Sequence, residues 1–138
     1  MDREGLIDLL NKKSIRFKLT EHKPLFTVED SKNLRGQIEG AHSKNLFLKD
    51  KKDNFYLVSF MEDIVADLKK AAIPLGSKKL SFAREEYLMQ YLGIKPGSVS
   101  PFGLVNDYEK KVKFFFDSEF MNFDIVNFHP LVNTATVS

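Results

Sequence analysis

The chain has 138 residues, 43% of them apolar and 29% charged, and a net charge of only +2. This is the balance of one water-soluble domain with a core of its own, and it gives no sign of the broad basic surface that binds nucleic acid nonspecifically. With no cysteine at all, a thiol nucleophile, a disulfide framework and Cys-ligated zinc are excluded.

No apolar run approaches the ~20 residues of a membrane span. The opening Met1-Asp-Arg-Glu4 lacks the apolar core of a signal peptide, so a cytoplasmic protein is expected. The 13 Phe point to a core built on aromatic rings.

Asp2 to Lys13 reads as a helix with Leu6, Ile7, Leu9 and Leu10 on one face and Lys12-Lys13 at its C-terminal end. Ile15, Phe17 and Leu19 alternate with Arg16, Lys18 and Thr20, the period of a half-buried strand that Pro24 terminates. Thr27 is placed to cap a second helix over Val28 to Leu34. Leu46 and Leu48, the polar turn Asp50 to Asn54, and Phe55 to Phe60 form the clearest hairpin. Both of its strands carry apolar residues on both faces, which places them centrally in a sheet covered on each side. Ile64, Val65, Leu68 and Ala72 give a third helix ended by Pro74 and Gly76. Leu80–Phe82 is a short strand, Arg84 to Leu92 a helix, Val112 to Phe116 a strand, and Ile125 to Phe128 the last strand, stopping at His129-Pro130. The order is not a βαβ series. A mixed α/β (α+β) fold is expected, with a largely antiparallel mixed sheet and helices around it.

Conventional catalytic sets are missing. His22, His42 and His129 are scattered, with no partner at metal-ligand spacing. There is no nucleophile elbow, and Ser98 and Ser100 lie in a loop. No phosphate-binding glycine motif occurs. What the chain does have is Gly93-Ile-Lys-Pro-Gly-Ser-Val-Ser-Pro-Phe-Gly103, with three Gly, two Pro and two Ser in eleven residues. Such a loop is either a rigid connector or a set of backbone N–H groups held toward a ligand such as an ester carbonyl. Lys44 is either a solvated strand lysine or a point charge for a phosphate. His129 reads as a hydrogen-bonded structural residue or a site group, and Asp67 as a structural anchor.

Four segments together go further. Lys44-Asn-Leu-Phe-Leu-Lys-Asp50, Asp67-Leu-Lys69, Leu92 to Gly103, and Phe128-His-Pro-Leu-Val-Asn-Thr-Ala-Thr136 occur in order. In combination they resemble the YbaK / prolyl-tRNA synthetase-associated domain family, and within it the free-standing PrdX or ProX type. The likeness spans Leu6 to Thr136. Members continue past the last segment with a further helix and strand, which this sequence, stopping at Ser138, is expected to lack.

The resemblance implies a single editing domain over residues 1–138 that hydrolyses mischarged aminoacyl-tRNA in trans, alanine on the proline tRNA above all. It implies no metal and no cofactor. The partners it implies are the acceptor end of the tRNA and, as a separate protein, prolyl-tRNA synthetase. By the same resemblance, Lys44 opens a strand beside the terminal adenosine and its phosphate, with Asn45 next to it. Gly97, Ser98, Val99, Ser100 and Pro101 line the site near the ester carbonyl and the attacking water. His129 belongs to the amino-acid pocket. Among the apolar residues near these motifs, Leu46, Phe47, Phe102 and Phe128 are the candidates for its walls. The other function class that fits is a non-catalytic module of the same fold that binds tRNA or the synthetase.

Overall fold

The structure, a computed structural model, describes residues 1–24, 33, 38–61 and 79–138. In chain order its elements are α1 (Arg3–Lys12), β1 (Leu19–Glu21), β2 (Ala41–Asp50), β3 (Phe55–Met61), β4 (Leu80–Phe82), α2 (Glu85–Tyr87), β5 (Val112–Phe116), β6 (Val126–Asn127) and β7 (Ala135–Val137). The helices expected around Val28–Leu34 and Ile64–Ala72, and with them Asp67, lie outside the described residues.

The hairpin β2–β3 is the centre of a sheet ordered β4–β2–β3–β5, with β6 alongside β2. Pairing is antiparallel for β2–β3 and β2–β4 and parallel for β3–β5 and β2–β6. The sheet is mixed, as its sequence pattern suggests. On one face Phe47, Phe55 and Leu57 pack with Leu6 and Leu10 of α1 and with Leu88, Leu92 and Ile94. On the other, Leu48, Tyr56, Val58 and Leu80 form a second cluster. Apolar residues at both parities of β2 and β3 therefore have a separate core to fill on each side.

Helix α1 starts as its sequence dictates, with the Asp2 carboxylate accepting from the Gly5 N–H at 2.9 Å. The strand expected from Ile15 to Leu19 is displaced. Ser14, at φ 57°, turns the chain away from the helix, and Ile15 is left half exposed. The ladder covers Leu19–Glu21, which pair with β7, and backbone bonds at Lys18 and His22 extend it on either side. β7 itself is not visible in the sequence pattern: three residues carry too little alternation to read, and the strand exists through its pairing. The last predicted strand is likewise shorter, Val126–Asn127, with Phe128 bridging to Val137. The helix expected to Leu92 begins as α2 and widens into a π-helical turn over Leu88–Leu92.

The β2–β3 turn is fastened by Asp50. Its carboxylate accepts from the Lys52 and Asn54 backbone N–H groups, the Asn54 amide and the Tyr56 hydroxyl at 2.9–3.0 Å. Burial alone would raise its pKa, but these four donors outweigh it and lower the value from 3.8 to about 2. A carboxylate depressed in the folded state contributes stability above its unfolded pKa and loses it as pH falls. Acid unfolding followed by circular dichroism should therefore show a loss of stability between about pH 4 and pH 2 that Asp50→Asn largely removes. At neutral pH, Asp50→Ala should cost about 2–3 kcal/mol, read from denaturant midpoints.

Candidate functional site

The glycine-proline loop is held at both ends. Gly93 ends the π-helical turn at φ 64°, with its N–H on the Met89 carbonyl at 3.0 Å, as a C-terminal helix glycine should. The Asn106 amide donates to the Leu92 carbonyl at 2.9 Å and sits where a Cβ on Gly93 would be. Next, the Ser98 N–H closes a turn on the Lys95 carbonyl at 3.2 Å, with Pro96 second and Gly97 third at φ 86°. Proline followed by a positive-φ glycine is the signature of a type II turn. Ser100 is extended and fully buried. Pro101 then opens a 3₁₀ turn to Asn106 that packs Gly103 against Leu92 and Ile94.

Among the described residues, the N–H groups of Gly97, Val99 and Ser100 make no backbone hydrogen bond. This is where an incoming carbonyl or water oxygen would find donors. Ser98 is buried beside them, and the Val99 side chain packs on the core.

His129 joins this loop through its backbone, as the Ser100 hydroxyl donates to the His129 carbonyl at 2.7 Å. Its ring Nδ1 lies 2.9 Å from the Ala135 carbonyl. A nitrogen facing a carbonyl must carry the proton, which makes Nε2 the acceptor of the neutral ring. Burial pushes the pKa of this imidazole down, and His22 and His42 push the same way, against the hydrogen bond to Ala135. The ring is thus neutral at physiological pH. The three histidines that are scattered in sequence are thus neighbours here, both His22 and His42 acting on His129, and the His22 and His129 rings are 6.1 Å apart. Among the described residues, no three His, Asp or Glu side chains are placed to hold a metal ion.

Lys44 is exposed and is the fourth residue of β2 rather than its first. It pairs across the hairpin with Phe60, and Asn45 with Ser59. Neighbours in a strand point to opposite faces, so Lys44 and Asn45 do not share a surface. The Asn45 amide is engaged with the Ser59 and Ser43 hydroxyls, and Ser43 donates onward to the Asn127 carbonyl at 2.9 Å. That bond and the parallel pairing of Ala41 with Val126 and His42 with Asn127 bring Lys44 and His129 out at the same end of the sheet. Phe47 is deep in the core, stacked on Phe55 at 5.7 Å. Phe102 is half-buried and meets Phe128 edge-on at 6.2 Å. The structure therefore brings together Gly97–Pro101, Phe102 and His129, with Lys44 at the same sheet end, and it gives Asn45 and Phe47 framework contacts. A cleft of about 950 Å³ between β1 and Asp124–Val126 contains none of these residues.

A family model for the aminoacyl-tRNA editing domain matches residues 22–138. The chain belongs to that family. It is 38% identical over 136 residues to the prolyl-tRNA editing protein ProX of Acetoanaerobium sticklandii, an alignment covering 98% of this chain and 83% of the relative. It is also 38% identical over 140 residues to the prolyl-tRNA synthetase associated domain-containing protein 1 of Xenopus laevis, covering 98% and 83%. The crystal structure of a candidate trans-editing enzyme for prolyl tRNA synthetase superposes with a TM-score of 0.76 at 20% identity, over 98% of this chain and 83% of that one, a likeness of fold.

Within this editing domain, sequence reasoning missed His22 and Thr136. The Thr136 hydroxyl and His22 Nε2 are 2.8 Å apart, yet the two residues lie 114 positions apart in the chain, and only the β1–β7 pairing brings them together. The Ser100 bond gives a direct test of how the loop is anchored. Ser100→Ala leaves the His129 carbonyl without this donor and should cost about 1–2 kcal/mol in a denaturant titration, with amide exchange quickening in residues 97–103 ahead of β2 and β3.

Proposed function

We propose that this chain is an aminoacyl-tRNA deacylase acting in trans on mischarged tRNA, with alanine esterified to the proline tRNA as its preferred substrate. The observation that carries the reading is the pinned Gly97–Pro101 loop, which the Ser100 hydroxyl ties to the backbone of His129. Membership of the editing-domain family and the name of the ProX relative support it. Water adds to the ester carbonyl, the bond to the ribose oxygen breaks, and that oxygen leaves with a proton. Free alanine and uncharged tRNA result. An aminoacyl ester is already activated, so orienting water and offering preorganised N–H donors to the oxyanion supplies much of what is needed. No metal ion is invoked, and turnover is expected to survive EDTA.

Selection would follow from size. A pocket shaped for proline cannot strongly exclude alanine, because each missing methylene is worth only about 1–3 kcal/mol. A second, smaller pocket admits alanine and rejects proline by overlap. In this reading His129 and Phe102 wall that pocket and Lys44 meets a phosphate near the terminal adenosine as a point charge. Asn45 and Phe47 would shape it from the framework.

The test is release of amino acid from proline tRNA charged in turn with alanine, serine, cysteine and proline. Alanine should be released fast and proline spared. Lys44→Ala should reduce release by about 10²-fold or more with the melting temperature unchanged, and His129→Ala should alter the ranking of amino acids more than the rate on alanine. No release from any ester by the folded chain would overturn the proposal in favour of a binding module.

A further inference from the structure

The clasp formed by β1 and β7 ends beside His129. Beyond β1, the His22 N–H donates to the Thr134 carbonyl at 2.8 Å. Its ring is gripped at both nitrogens, with Nδ1 2.8 Å from the Lys23 carbonyl and Nε2 2.8 Å from the Thr136 hydroxyl. The carbonyl fixes the proton on Nδ1, so the buried Thr136 hydroxyl is the donor to Nε2. The two flanking residues of β7 thus serve two rings: the Ala135 carbonyl holds His129, and the Thr136 side chain holds His22. The rings face each other at 6.1 Å and 55°.

We propose that His22 is a positioning residue for His129: clamped by Thr136, it fixes the orientation of the His129 ring and keeps it as the neutral Nδ1–H form with Nε2 as acceptor. An acceptor nitrogen is complementary to a donor, and the α-ammonium group of an aminoacyl ester is one. The link to catalysis rests on the deacylase reading above, whereas the positioning itself does not. Among the described residues, the ionisable groups acting on His129 are His22, beyond β1, and His42, on β2. β7 and Gly97–Pro101 bring none. His42 is held separately, its Nε2 3.0 Å from the Ile38 carbonyl. Removing His22 opens the His129 ring to water, which favours the imidazolium.

The experiment is nitrogen NMR of the histidine rings across pH in the whole chain, which has only three histidines. In the unaltered protein His129 should be the Nδ1–H tautomer, titrating below an ordinary imidazole. In His22→Ala its midpoint should rise by about half a pH unit or more, and the acid-side fall of deacylation should move with it. Thr136→Val, which keeps the shape but not the hydroxyl, should do the same. Thr136→Ser should restore the original midpoint. An unmoved tautomer and midpoint in a folded His22→Ala protein would overturn the proposal. Should that variant not fold, identical midpoints for Thr136→Val and Thr136→Ser would overturn it equally. A shifted midpoint in a protein that hydrolyses no ester would leave the positioning standing and remove the deacylase reading.

Discussion

The register of β2 against β3 is the constraint on which the rest of the molecule depends. Pairing Phe47 with Leu57 and Leu48 with Tyr56 assigns each apolar side chain to one of two cores. A slip of one residue would exchange the faces entirely. The same register sets Lys44 and Asn45 on opposite sides, links Asn45 to Ser59 inside the sheet, and leaves the N-terminal half of β2 to receive β6. The turn around Asp50 fastens this register at one end, and the site is assembled at the other.

In the proposed reading, chemistry at that end falls to the backbone and to neutral groups. The loop offers N–H groups, and the histidine offers a lone pair because a carbonyl occupies its other nitrogen. Such a site has little need of a strong base if the bond to be broken is already reactive, and it costs little electrostatic free energy to fold. Its geometry is set by side-chain and packing contacts within the chain. Asn106 caps Leu92, Gly103 allows Ile94 to approach, and Ser100 ties the loop to the His129 backbone.

The parts legible in the sequence are those governed by near neighbours. The β2–β3 hairpin, β5, the glycine ending the helix at Gly93 and the capping of α1 all follow from local pattern. The strand pattern is read correctly in Phe55–Met61, an apolar run whose two parities fill a core on each side. It misleads at Ile15–Phe17, where Ser14 turns the chain and the pairing toward β7 begins only at Lys18. β7 and the meeting of Thr136 with His22 escape for the opposite reason, since they arise from a pairing between distant segments. Lys44 and Asn45 show a further limit. A motif read as consecutive letters suggests adjacency in space, while the pleat of a strand sends consecutive side chains apart.

The β1–β7 clasp has a consequence for how the protein comes into being. Leu19 pairs with Val137, and Lys18 exchanges both backbone bonds with Ser138. A chain emerging from the ribosome can therefore complete its central hairpin early, from contacts close in sequence. The two histidines can meet only after β7 is free to pair with β1. Competence at the site would then report that synthesis had passed β7, and a molecule nicked within β7 would keep its central hairpin while losing the arrangement around His129.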